Sequence, residues 1–299
     1  MPDPTILSLL DHVDGLPTSR PSLFLDLEGI KLGRYGSISI ISLYVLARDA
    51  GSPGTVYLVD VHRLGQTAFL TPNSRLTSLK TILESRAIPK VIFDVRNDSD
   101  ALFAHYRISV AGIVDLQLME LASRRGSRDF VAGLAKCIGN DVAVSAAAKA
   151  EWQRTKDTGS RLFDPNKGGR YEVFNERPLR LQIQRYCAQD VVLLPALHGV
   201  YEAKLHVAGQ EFWQGMVEDA TVARVKSSQS AGYDPHSREK ARGPWDARSI
   251  QKAREEYIDD DPDDWYQDSA RDCDGWEEDM IRNGSPFKCL LRIAPWIPR

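Results

Sequence analysis

Apolar positions in the first sixty residues fall in short runs rather than at helical spacing. Leu23-Phe24-Leu25, "SISIISLYVLA" (37–47) and "TVYLVDV" (55–61) are rich in β-branched and aromatic residues, with Gly51, Pro53 and Gly54 between the last two. Three such runs with short links predict an antiparallel meander. The pattern then changes. "RLTSLKTILESR" (75–86) has helical spacing, "KVIFDV" (90–95) reads as a buried strand, "DALFAHY" (100–106) is helical and "GIVD" (112–115) is strand-like. Helical segments follow at 115–124, 130–138 and 145–155, and residues 155–178, with Gly, Pro and Asn throughout, read as a loop. A long helix is predicted from Pro178 through Tyr201, kinked at Pro195. Strands first, then strands alternating with helices, predict an α/β domain with a mixed sheet. From residue 207 the chain is charged and amphipathic, and "DDDPDDWYQD" is expected to be disordered.

Within this pattern several acids stand where they are costly. Asp26 and Glu28 are two apart in "LFLDLEG", which on a strand puts both carboxylates on one face. Two like charges there repel, and burial of either requires a partner or a bound proton. In "VIFDVRNDSDALF", Asp98 follows a buried strand at a helix start, where the commonest use of Asp is an N-cap. Asp100 competes with Asp98 for either role, and Asp94 is a further candidate. In "RYCAQDVVLL", Tyr186 and Asp190 are four apart, so one helix face presents a phenol and a carboxylate together. A hydrogen-bonded surface pair is the plain alternative, but the apolar run from Val191 to Leu194 places this turn in a packed region. Asp115 in "IVDLQ" reads as a helix cap. A pair of divalent cations about 3.5–4 Å apart would reconcile four clustered carboxylates, and hard oxygen ligands suit Mg²⁺ or Mn²⁺.

The order D-x-E, then an Asp within R-N-D-S-x-x-L, then Y-x-x-x-D, resembles the DEDD superfamily of 3′–5′ exonucleases. Tyrosine four residues before the last Asp is similar to its DEDDy branch. The flanks agree: "DLEGIKLGRYGSISII" resembles the first motif of ribonuclease D-like and Egalitarian-like domains, and "RPLRLQIQRYCAQDV" resembles the ribonuclease D pattern. The resemblance implies an RNase H-like (DnaQ-like) α/β fold with a mixed five-stranded sheet flanked by helices, over residues 21–206. Residues 1–20 would be a lead-in and 207–299 a helical to disordered extension. It implies a two-metal 3′–5′ exonuclease acting on single-stranded RNA or DNA and releasing nucleoside 5′-monophosphates. Asp26, Glu28, Asp98 and Asp190 would be metal ligands, Asp98 through water, and Tyr186 would orient the attacking water. Arg34 in "GRYG" is a candidate phosphate contact or an exposed turn residue. Lys149, Lys156 and Arg161 are candidate lining of a nucleic-acid channel. The loop at 155–178 is longer than in ribonuclease D itself. Some relatives have lost acids and serve as RNA-binding scaffolds, so a nucleic-acid-binding adaptor is the alternative.

Composition adds limits. The 299 residues carry a formal charge of −3, but Glu255–Asp279 holds thirteen acids against Arg271, which leaves the rest at +9. A basic body suits a polyanionic partner, and the acidic segment suits a solvated tail or a protein partner. Cys137, Cys187, Cys273 and Cys289 are scattered, against both a zinc site and a disulfide framework. No apolar run is long enough to span a bilayer, and the acidic start is unlike a signal peptide, so an intracellular place is expected. The Gly-x-Ser-x-Gly, Gly-x-x-x-x-Gly-Lys and His-Glu-x-x-His motifs are absent from the sequence. "DCDGWEED" (272–279) lacks the full ligand series of a calcium loop. A glycosidase with two paired carboxylates would need neither metal nor the other acids.

Overall fold

The computed structural model describes residues 4–48, 52–260 and 292–293. The elements are α1 (Pro4–Val13), β1 (Leu23–Glu28), β2 (Ile40–Val45), β3 (Thr55–Asp60), the short turns α2 (Val61–Leu64) and α3 (Thr67–Leu70), α4 (Leu79–Glu84), β4 (Lys90–Ile92), α5 (Arg96–Tyr106) and β5 (Ile113–Asp115). Then follow α6 (Leu116–Ser123), α7 (Leu134–Asp141), α8 (Ala146–Phe163), α9 (Leu181–Val192), α10 (Leu194–Leu205), α11 (Glu211–Ser228), α12 (Ala247–Asp260) and β6 (Arg292–Ile293). The strand order is β5-β4-β1-β2-β3-β6. β1, β2 and β3 form the expected antiparallel meander, while β4 and β5 add in parallel beside β1. The five-stranded mixed sheet is thus present, and the two-residue β6 extends it alongside β3. Among the described residues no helix is long and apolar enough to cross a membrane.

Period-two alternation along β1 divides its side chains between two cores. Leu23, Leu25 and Leu27 pack with Ile6, Leu9 and Leu10 of α1 and with Leu79, Ile82, Ala101 and Leu102 on one face. Phe24 packs on the other with Ile40, Val56, Leu58 and the apolar stripes of α6, α9 and α10. Asp26 and Glu28 share the Phe24 face, in register with Ser42 and Ile40 of β2. Helix α9 lies across β1, β2 and β3 on that same face. That crossing brings Asp190 over the carboxyl end of β1.

Several expectations change. The helix read from Pro178 begins at Leu181 and breaks at Leu193, because Pro195 suits only the first turn of a new helix, α10. Residues 155–163, read as loop, continue α8, whose start Ser145 caps by accepting from the Ala148 amide. Two 3₁₀ turns, Pro165–Lys167 and Tyr171–Asn175, occupy the rest of that stretch. The lead-in at 1–20 is part of the core, since α1 buries Ile6, Leu9 and Leu10. The extension starting at 207 likewise packs in: α11 buries Trp213, Val217, Ala220 and Arg224 against α5, α6 and β5. The acidic stretch from Asp261 and the "DCDGWEED" segment lie outside the described residues.

Candidate active site

β1 ends with Asp26 and Glu28 half-buried on the α9 face, and α9 supplies the buried Asp190. One carboxylate oxygen from each of Asp26, Glu28 and Asp190 lies within 4.8 Å of the others. Asp98 stands outside this triplet, 6% exposed in the first turn of α5, and its charge raises the pKa of Glu28. It does not cap the helix. Val95 holds the N-cap position, so the cap reading fails and the buried carboxylate needs another reason.

Four acids in so little water cannot all ionise alone. Burial, then Asp190, push Asp26 up to about 7, against the pull of Lys156. Burial and the charges of Asp26 and Asp190 raise Glu28 well above the carboxylate range. Asp98 is raised well above it by burial and by Asp26. Asp190 is raised by burial, although the charge and hydrogen bond of Lys156 hold it down.

Lys156 of α8 brings a cation into this hollow. Its ammonium donates to Asp190 Oδ2 at 2.6 Å and to the Tyr186 hydroxyl at 3.1 Å, and it lies 4.5 Å from the Tyr186 ring centroid. Burial opposes its charge, but Asp190, Glu28 and Asp26 outweigh that and keep it protonated. Tyr186 packs 5.0 Å from the Phe163 ring centroid and against the backbone of Gly159, where a Cβ would collide with its ring. Burial, then Glu28 and Asp190, raise its hydroxyl well above the ordinary phenol range.

One atom of the cluster is left over. Asp190 Oδ1 is buried and accepts from nothing. A buried acceptor without a donor is costly, and a bound cation or a proton would satisfy it. All the ligand atoms are hard oxygens, so the residues fit Mg²⁺ or Mn²⁺.

The other candidates sort by their partners. Asp100 pairs with Arg34 at 2.7 Å, which removes it from the contest with Asp98. Arg34 is neither exposed nor free for a phosphate, because its guanidinium also donates to the carbonyls of Ser228, Ser230 and Ala231. Asp115 caps α6 as expected, accepting from the Gln117 amide at 3.0 Å, and also meets Arg224 at 2.7 Å. Lys149 donates to the Gly139 carbonyl at 2.7 Å, two turns before Lys156 on α8. Arg161 is exposed.

Sequence reasoning missed a supporting network. Asp94 adopts a left-handed conformation, φ 64°, between β4 and α5. Arg96 grips its carboxylate at 2.6 and 2.8 Å, and Asp115 accepts from the Asp94 and Val95 amides. Arg224, from α11, binds Asp115 and the Gln117 side chain at 2.7 and 2.9 Å. The turn that launches Asp98 is therefore fixed by a residue more than a hundred positions away. Only the R-N-D motif itself hinted at it.

With the fold and the cluster in place, similarity to known proteins becomes informative. No curated protein sequence matches the chain. Among solved structures it resembles Trypanosoma brucei RNase D in its GMP complex, at TM-score 0.58 and 20% identity, over 80% of this chain and 66% of that one. The same protein in complex with RNA U12 gives TM-score 0.58 and 18% identity, over 82% and 75%. Escherichia coli RNase D gives 0.52 and 18%, over 77% of this chain and 50% of that one. The chain thus spans about half to three quarters of these relatives, which share its fold. Residues 13–205 match the family model for the 3′–5′ exonuclease domain, and the chain belongs to that family.

Proposed function

We propose that the protein is a divalent-metal-dependent exonuclease that removes nucleoside 5′-monophosphates from the 3′ end of single-stranded nucleic acid. The observation that carries this reading is the convergence of Asp26, Glu28 and Asp190 around a buried, unpartnered Asp190 oxygen. Asp26, Glu28 and Asp190 would hold the metal directly and Asp98 through water. Two Mg²⁺ or Mn²⁺ ions bound there would neutralise the carboxylates and assist both the attacking and the leaving oxygen of a phosphodiester.

The chain's own groups do the rest. Tyr186 keeps its proton at neutral pH, so it orients the attacking water by a hydrogen bond and does not serve as a base. Lys156 stays charged beside that hydroxyl and steadies the phenol oxygen. Phe163 and Gly159 pack against the same ring. Lys149, on the same helix, would have to leave the Gly139 carbonyl to meet the backbone of an entering strand.

RNA is the first substrate to try, since Trypanosoma brucei RNase D is seen in complex with RNA U12 and Escherichia coli RNase D is described as an exoribonuclease involved in structured RNA processing. One observation favours a second reading: the Lys156–Asp190 ion pair neutralises part of the cluster without metal, as a binding adaptor would need. The separating experiment incubates matched 5′-labelled RNA and DNA single strands with the protein and Mg²⁺ or Mn²⁺. Stepwise shortening from the 3′ end that stops with EDTA and with Asp26→Asn supports the enzyme. Tight binding to a strand that stays intact supports the adaptor.

A further inference from the structure

The family match ends at residue 205, yet the chain beyond it meets the start of α5. Arg34 straps residues 228–231 by their carbonyls, and Arg96 donates to the Lys240 carbonyl at 2.9 Å. Gly33 lies so near Pro235 that a Cβ would reach it at 2.9 Å. Between these ties, the Tyr233 hydroxyl donates to Asn97 Oδ1 at 2.7 Å and the Lys240 ammonium donates to the same oxygen at 2.5 Å. Asn97 is half-buried and immediately precedes Asp98.

An ammonium can only donate, so the oxygen of the Asn97 amide, never its nitrogen, faces Lys240. Two donors on one oxygen fix the amide's orientation. Its Nδ2 then points away with two hydrogens and meets no acceptor among the described residues. A cation at position 97 would be captured by Asp94 and Asp98, whose charges already act on Lys240. A neutral donor escapes that fate and keeps its hydrogens for something else.

We propose that the Asn97 amide is a preset hydrogen-bond donor for a backbone phosphate oxygen of the strand being cut, with Tyr233 and Lys240 as the positioning residues that aim it. The inference rests on the exonuclease reading above. A phosphate contact carries no sequence information and sets the register of the strand, which is what a 3′-end trimmer needs beside its ligands. It also gives the segment at 228–242 a part in the site, although the family match stops before it.

The test uses the full chain and a short 5′-fluorescein single strand, read by anisotropy in EDTA and by initial rates in Mg²⁺. Asn97→Asp keeps an oxygen for Tyr233 and Lys240 but loses the donor, and Asn97→Ala loses it without adding charge. Both weaken strand binding about tenfold and raise KM in step, and kcat stays near wild type in Asn97→Ala, which adds no charge beside Asp98. Tyr233→Phe, which changes no charge, weakens binding about threefold. Wild-type-like binding by Asn97→Ala, in a protein that does cut, overturns the inference and leaves the exonuclease reading intact. A wild-type chain that neither binds nor cuts overturns both.

Discussion

Lys156 binds one oxygen of Asp190 at 2.6 Å, while the other oxygen of that carboxylate is buried without a donor. The carboxylate is therefore half satisfied: the ammonium balances part of the cluster's charge and leaves a ligand atom open. The four acids outnumber the cations that act on them, Lys156 and Lys240, so the hollow favours additional positive charge, as protons or as metal.

Removing that ammonium sharpens the demand. Lys156→Met is expected to destabilise the metal-free protein by about 2 kcal/mol, less than a full buried-pair loss because Asp190 can take up a proton instead. The same variant binds Mn²⁺ more tightly than wild type, since a competing cation has gone. Titration calorimetry and thermal melting with and without Mn²⁺ read both effects.

The raised carboxylates set a pH dependence. Asp26 has an ordinary value near 4 and is pushed up to about 7 in the folded chain. The folded state thus binds this proton more tightly than the unfolded state. The associated stability is fully present below about pH 4 and is lost as pH rises through about 7. Without metal, the melting temperature should fall between pH 5 and pH 8, and fall less in Asp26→Asn. Mg²⁺ should raise it more at pH 8 than at pH 5, where protons compete for the same oxygens.

Gly159 offers a test of packing around the tyrosine. In a helix interior, Ala is about 1 kcal/mol better than Gly by propensity alone. Here a Cβ would collide with the Tyr186 ring, so Gly159→Ala should displace that ring. The expected result is a loss of kcat by more than about tenfold with little change in strand binding. Steady-state rates and anisotropy on one protein preparation separate the two.

Arg224 tests whether the chain past residue 205 belongs to the folded unit. It is 7% exposed and serves Asp115, which is fully buried and caps α6. Arg224→Met leaves that carboxylate with amide donors only and should cost about 3–5 kcal/mol in urea unfolding. Arg224→Lys should recover only part, because an ammonium cannot reach Asp115 and Gln117 with one planar fork.

The fold was legible where apolar pattern and punctuation agreed. The meander, the strand at Lys90–Ile92 and the pairing of Asp26 with Glu28 and of Tyr186 with Asp190 on shared faces came from spacing along single elements. The role of Asp115 did too, since a cap is a local device. What escaped depended on chain far away. The carbonyls of residues 228–231 consume Arg34, Arg224 secures the Asp94 turn, and Lys156 meets Asp190 only because α8 continues through a mostly polar stretch. α8 persisted there because Trp152, Gly159 and Ser160 bury against the core, which outweighs weak propensity.

The claim on which the rest depends is that these carboxylates hold divalent cations. Anomalous diffraction from crystals soaked in Mn²⁺ tests it at the atoms concerned. The account predicts two peaks about 3.5–4 Å apart between Asp26, Glu28 and Asp190, with one facing Asp98. A map with no Mn²⁺ at the cluster, and Lys156 still seated on Asp190, would contradict it.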